Sequence, residues 1–214
     1  MTGLITQARF VSLEGGEGAG KTTVLNALRD AIQTQGVEVV CTREPGGTPL
    51  AEEIRRLLLD PHHEPAAPET ELLLMFAARA QHVSETILPA LQRGAWVLSD
   101  RFTDSSYAYQ GGGRGLDAGL IAELERRLVG IRPGLTLLLD IGVAHGRERT
   151  RSRDLDPDRI EREHDSFFER VHAAYHQRAA AEPQRIRVID AMPAAHEVAA
   201  NAVSVLHAYL ETLR

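Results

Sequence analysis

Only one of the 24 basic residues is a lysine, and it sits in the run Gly15-Gly-Glu-Gly-Ala-Gly-Lys-Thr22. That run fits the spacing G-x-x-x-x-G-K-[ST]. Glycines allow the consecutive N–H groups of Gly15, Gly16, Glu17, Gly18, Ala19 and Gly20 to turn inward around phosphate oxygens, and a helix opening at Lys21, Thr22 and Thr23 adds its positive end. Lys21 is then expected to reach the β- and γ-phosphates of ATP, with Thr22 as a ligand of Mg²⁺. A compact ammonium on a flexible stem suits that place better than a planar guanidinium, in a chain that otherwise uses arginine throughout. The chemistry implied is phosphoryl transfer from a nucleoside triphosphate.

Two further groups of residues suit the same chemistry. In Ser99-Asp-Arg-Phe102 a carboxylate and a guanidinium follow an apolar run. There Asp100 would hold Mg²⁺ through water, and Arg101 would bridge donor and acceptor phosphates. The segment Arg147-Glu-Arg-Thr-Arg-Ser-Arg153 spaces four arginines two apart, so on a helix they cannot share one face. A mobile lid over a triphosphate gains from that pattern, because arginine stabilises charge spread over phosphoryl oxygens. The competing reading is an exposed segment salt-bridged by Glu148, Asp154, Asp156 and Asp158. Lys21, Asp100, Arg149 and Arg153 are the candidate catalytic residues. Arg151 rivals Arg149 on the ATP side, and Arg149 has the alternative of stacking on adenine near Asp190–Pro193.

Elements that would position these residues are legible as alternation. Runs rich in β-branched residues at Arg9–Leu13, Val37–Cys41, Trp96–Leu98, Leu135–Leu139 and Ile186–Ile189 predict buried strands. Between and after them, helical periodicity covers about Lys21–Gln35, Pro49–Leu59, Glu69–Arg93, Asp117–Val129, Asp165–Ala181 and Ala194–Leu213. The order implies an α/β fold with a parallel five-stranded sheet flanked by helices, in one domain over 1–214. Two segments break the rhythm: the glycine-rich Gln110–Gly115 and the charged Arg147–Glu163. Both fall where open α/β sheets place ligands, and the lid is expected over about 144–163.

At 214 residues and 43% hydrophobic, the chain has enough apolar material for one substantial core. A net charge of −6 argues against nucleic acid as a partner, since such partners need a basic footprint. No stretch approaches the roughly 20 apolar residues of a membrane span, Met1–Arg9 lacks a targeting pattern, and Cys41 stands alone, all of which suit a cytoplasmic protein. His62 and His63 lie in a proline-flanked loop, while His145, His164, His172 and His176 fall on charged helical segments. All read as solvated surface. Phe167, Phe168, Val171 and Tyr175 share a helical spacing that reads as core.

Taken together, Phe10-Val-Ser-Leu-Glu-Gly15, Thr42-Arg-Glu-Pro-Gly-Gly-Thr48, Asp100-Arg-Phe102, Tyr109-Gln-Gly-Gly-Gly-Arg-Gly115 and the arginine lid resemble the thymidylate kinase family over nearly the whole chain. The resemblance is to its bacterial type, with catalytic arginines in the lid. It implies a P-loop nucleoside-monophosphate kinase fold, ATP and Mg²⁺, phosphorylation of dTMP to dTDP in dTTP biosynthesis, and a homodimer formed through helices. It also implies roles position by position. Glu17 would contact the sugar 3′-hydroxyl, Arg55 with Arg101 would grip the dTMP phosphate, and Arg79 would hydrogen-bond the thymine. Ser105, Ser106, Tyr109 and Gln110 would read base edge and sugar, with Tyr109 excluding a 2′-hydroxyl. The aromatic that stacks on thymine in the family has Met75 in its place here. Phe76, one residue on, is the expected platform because rings stack well on rings, with the Met75 thioether as the alternative. Glu44-Pro45 is a candidate cis peptide shaping the acceptor side.

Two other functions compete. A related kinase acting on another monophosphate or on a nucleoside would share everything but the acceptor groups. A nucleotide-dependent switch would need no acceptor arginines, and a chain with one lysine cannot carry the Asn-Lys-x-Asp signature of guanine-specific switches.

Overall fold

A computed structural model describes residues 3–151 and 157–213, Arg151 as backbone only. Strands β1 (Ile5–Gly15), β2 (Val39–Arg43), β3 (Trp96–Asp100), β4 (Ile131–Asp140) and β5 (Ile186–Asp190) form one sheet in the order β2-β3-β1-β4-β5. All pairs are parallel, with β1 at the centre: Val11 lies beside Leu98 on one flank and Leu135 on the other. The five strands expected from the apolar runs are therefore present, β1 and β4 with longer polar approaches than the runs suggested.

Helices cover both faces of the sheet. They are α1 (Lys21–Gln33), α2 (Pro49–Leu59), α3 (Pro68–His82, continuing through the wide turn Val83–Ile87 into Leu88–Gln92) and α4 (Thr103–Ser106, continuing through Tyr107–Gly113). After these come α5 (Ala118–Leu124, then Glu125–Val129), α6 (Val143–Arg151), α7 (Asp165–Ala181) and α8 (Ala195–Glu211). The start of α2 shows local chemistry at work. Thr48 accepts the Ala51 N–H at 3.2 Å, and Pro49 occupies the first turn, where its missing N–H costs nothing.

Side-chain alternation divides β1 between two cores. Val11 and Leu13 pack with Val24, Leu28 and Ile32 of α1 and with Val198, Ala202 and Leu206 of α8. Each such aliphatic side chain contributes about 1.5–3 kcal/mol on burial. Phe10 points the other way, into a cluster with Phe76, Ile87 and Phe102. A third cluster joins Leu138 and Ile186 to Phe167, Phe168, Val171 and Tyr175 of α7, the core reading those four residues suggested.

The two segments that break the sequence rhythm both contain helix. Gly111–Gly113 belong to the wide last turns of α4, and the glycines there admit a neighbouring helix. A Cβ on Gly113 would stand 2.4 Å from Cε2 of Phe167, and one on Gly112 would stand 2.8 Å from the Arg170 carbonyl oxygen. Arg147 and Arg149 sit on α6, a regular helix up to Arg151.

Candidate active site

The turn between β1 and α1 brings the carbonyl ends of the central strands to a cavity of about 290 Å³. Its floor is the run from Glu17 to Thr23. Gly15, Gly18 and Gly20 have φ of 136°, 74° and 85°, the left-handed region that frees the N–H groups to converge. Lys21 folds over this loop, its Nζ donating to the carbonyls of Gly15 at 3.3 Å and Gly16 at 3.1 Å. Burial, and then the positive charge of Arg101, push its ammonium pKa down, an electrostatic cost that an anion beside it would relieve.

Around the loop and its cavity stand three arginines from three different elements. Arg101 follows β3 with φ of 71°, an uncommon backbone for a residue with a side chain and worth about 1–3 kcal/mol of strain. Its guanidinium reaches the Gly15 carbonyl at 3.0 Å, Glu17 Oε1 at 2.5 Å and the Tyr175 hydroxyl at 3.2 Å, and lies 4.9 Å from the centre of the Tyr109 ring. Arg55 of α2 donates to the Pro45 carbonyl at 3.0 Å, across a Glu44-Pro45 peptide that is cis. Burial first, and the like charges of Arg43 and Arg101 after it, depress the Arg55 pKa.

Arg79 of α3 is buried and donates Nε to Glu44 Oε2 at 2.6 Å, with its terminal nitrogens reaching the Ser106 hydroxyl at 3.0 Å and the Phe102 carbonyl at 3.2 Å. Five N–H donors serve these three acceptors, so donors remain for a ligand on the cavity side. Ser105, Ser106, Tyr109 and Gln110 all line the cavity, as does Met75. The expectation for Phe76 is corrected here. Its ring is 1% exposed in the second core, where it packs with Phe10 and Phe102 and supports the Arg79 guanidinium 4.8 Å from its centroid. One helical residue earlier, Met75 presents a different face, and that face meets the cavity.

Asp100 ends β3 on the cavity wall, and its Oδ1 is buried without a hydrogen-bond partner among the described residues. An unsatisfied buried carboxylate oxygen is costly. Thr22 lines the same cavity, and a hard oxygen pair of this kind fits Mg²⁺, which takes one or two protein oxygens beside water and phosphate.

On α6, Arg149 donates to the carbonyls of Ala191 and Met192, both at 3.0 Å, so it is tied to the turn after β5 and is not part of the cavity wall. Arg147 bonds the Glu163 carbonyl at 2.7 Å and Asp165 at 2.9 Å. Arg153 lies outside the described residues, as does the side chain of Arg151. At the near end of α6, backbone meets backbone. A Cβ on Gly146 would lie 2.5 Å from the Glu17 carbonyl oxygen, and one on Gly18 would lie 2.3 Å from that of Gly146.

Sequence reasoning missed the acids that hold the site together. Glu14, fully buried, accepts from the Phe102 N–H at 2.7 Å, Ser105 at 2.6 Å and Tyr175 at 2.9 Å. Burial, reinforced by nearby Asp104, pushes its carboxyl up to about 7. Glu71 holds Gln110 at 2.9 Å, Arg114 at 3.0 Å and Arg159 at 2.8 Å, tying α3 to the end of α4 and to the segment before α7. Asp104 pairs with Arg178 and Arg185. A carboxylate inside an apolar run, as in Val-Ser-Leu-Glu14, was the available signal for the first. The others needed the tertiary fold.

A family model described as thymidylate kinase matches residues 13–202. The chain is 56% identical over 188 residues to the thymidylate kinase of Alkalilimnicola ehrlichii, covering 87% of each chain. It is 54% identical to that of Ectopseudomonas mendocina over the full length of both. Among solved structures, thymidylate kinase from Ehrlichia chaffeensis superposes with a TM-score of 0.76 at 30% identity, over 94% of this chain and 99% of that one.

Proposed function

The chain belongs to the thymidylate kinase family, and we propose that it transfers the γ-phosphoryl group of ATP to dTMP, giving dTDP and ADP, as one kinase unit. The observation that carries this reading is the single cavity in which Lys21 and its loop face Arg55, Arg79 and Arg101. A donor and an acceptor phosphate both require cations, and Lys21 with its loop and the three arginines supply them in one cavity.

In such a transfer the protein has little covalent work, so positioning and charge neutralisation carry the rate. Lys21 and the loop N–H groups hold the donor phosphates. Arg55 and Arg101 hold the acceptor phosphate between them, which relieves the mutual repulsion of the guanidiniums. The remaining Arg79 donors face a thymine carbonyl, with Met75 against the ring face and Ser106 and Gln110 at the base edge. Glu17, Ser105 and Tyr109 face the sugar. Thr22 and Asp100 would hold Mg²⁺, which supplies charge neutralisation between the β- and γ-phosphates when bound. Segment 144–163 is the lid, with Arg149 over the adenine side, braced on the 191–192 carbonyls, and its arginines, Arg151 and Arg153 included, serve ATP and the charge of the transferring group. Leu50 and Leu57 on α2 and Leu73 on α3, each more than half exposed, support a homodimer formed through helices.

The test is a split between substrates. Arg79→Ala is expected to raise the KM for dTMP by about 30- to 150-fold, as loss of a charge-assisted site of about 2–3 kcal/mol does, with the KM for ATP nearly unchanged. Equal effects on both substrates would contradict the assignment of this wall to the acceptor.

A further inference from the structure

Three residues the proposed reaction does not use converge behind the phosphate loop. Asp140 closes β4, and His172 and His176 lie four residues apart on α7, so their imidazoles emerge on one helix face a turn apart. Their rings are 4.6 Å apart between centroids. Both Nε2 atoms point at the same carboxylate oxygen, Asp140 Oδ1, His172 at 2.7 Å and His176 at 3.2 Å. All three ligand atoms lie within 4.8 Å of one another, and each side chain is partly open to solvent. The geometry points to a binding site for one divalent transition-metal ion of the zinc class, held by Asp140, His172 and His176.

The donor set decides the class of ion. Two imidazoles and a carboxylate match the ligands that zinc and its neighbours prefer, whereas Mg²⁺ takes oxygen. Tetrahedral zinc with bonds of about 2.0–2.1 Å sets its ligand atoms about 3.4 Å apart. The approaches to Oδ1, 2.7 Å from His172 and 3.2 Å from His176, are shorter than that by about 0.7 and 0.2 Å, so the carboxylate must withdraw, chiefly from His172, to admit the ion. Partial exposure leaves the remaining coordination positions to water and provides the entry path.

The position gives the ion a consequence. Asp140 lies three residues before α6 begins at Val143, and His172 also lines a small cavity against Gly16, Glu17 and Gly146. A bound ion clamps α7 to the end of β4, beside the seam where α6 meets the phosphate loop.

Calorimetric titration of Zn²⁺ into the full-length protein tests the site, with His176→Gln and Asp140→Asn beside wild type and thermal unfolding followed in parallel. The expected result is one Zn²⁺ per chain with a raised Tm, and affinity lower by about tenfold or more in both variants. A His62→Gln/His63→Gln control is expected to bind as wild type does. Co²⁺ in place of Zn²⁺ is expected to give the absorption bands of a low-symmetry four-coordinate ion, lost in His176→Gln whose circular dichroism matches wild type. Absence of stoichiometric Zn²⁺ binding by wild type, or binding that His176→Gln and Asp140→Asn leave undiminished, would overturn the site.

Discussion

Met75 and Phe76 are adjacent in sequence and face opposite environments, so their substitutions should separate cleanly. Phe76→Ala empties a fully packed position and is expected to cost about 3–5 kcal/mol of stability, read from denaturant unfolding. Met75→Ala is expected to leave stability within about 2 kcal/mol of wild type, because the side chain is only partly buried, and to weaken dTMP binding instead. A Phe76→Ala enzyme that folds normally but loses dTMP would return the stacking role to the ring. Sequence reasoning could not make this distinction, because a ring is the better platform in isolation and only the rotation of α3 decides which residue meets the cavity.

Glu14 carries a pH dependence of definite sign. Its carboxyl titrates near 7 in the folded protein against an ordinary value of 4.5. The folded state therefore holds this proton more tightly, and the contribution is fully present below pH 4.5 and lost as pH rises through about 7. The loss is on the order of 1 kcal/mol per pH unit across that window. Unfolding free energies of wild type and Glu14→Gln measured from pH 5 to 8 should diverge accordingly, with the variant lacking this downward slope. Parallel profiles would remove the proton from Glu14.

Among the elements, α6 and the phosphate loop form one mechanical unit, because two glycines let their backbones touch. Gly146→Ala would drive a methyl group to 2.5 Å from the Glu17 carbonyl, where neither side has a flexible chain to yield. The expected outcome is a loss of about 1–3 kcal/mol in stability and a fall in kcat of at least about tenfold, since the loop and the first turn of α6 must part. Gly142→Ala on the same approach meets only His145 Nδ1 at 3.9 Å and should behave as wild type. Equal, small effects of both substitutions would show that the seam plays no part in turnover.

Elements were also where the sequence was most legible. Five apolar runs located five strands, because a parallel sheet buried on both faces demands continuous hydrophobic segments. The left-handed glycine loop between β1 and α1 was legible from Gly15–Thr23, because the motif is contiguous and its mechanics are local. Gln110–Gly115 read as a break in the helical rhythm, whereas Gln110–Gly113 belong to the last turns of α4. Glycine weakens a helix in isolation, and here its smallness serves the contact with Phe167 and Arg170, which only the tertiary fold reveals. Long-range acid pairings such as Glu71 with Arg114 and Arg159 left no local trace for the same reason.

At the scale of the molecule, the sheet order sets the function. With β1 central and β3 beside it, the phosphate loop and Asp100–Arg101 emerge next to each other, while α2 and α3 supply Arg55 and Arg79 from across the cleft. Among the described residues no helix is long and apolar enough to cross a membrane. The most direct test of the central claim is a coupled ADP-release assay with ATP and Mg²⁺, run in parallel with dTMP, dUMP, AMP, GMP, CMP and thymidine, on wild type and Lys21→Ala. Rapid turnover is expected with dTMP well above the other acceptors, falling by about a thousandfold in Lys21→Ala. Preference for a different acceptor would contradict the thymine reading of the Arg79 wall, and turnover that no acceptor stimulates would contradict phosphoryl transfer to a nucleotide altogether.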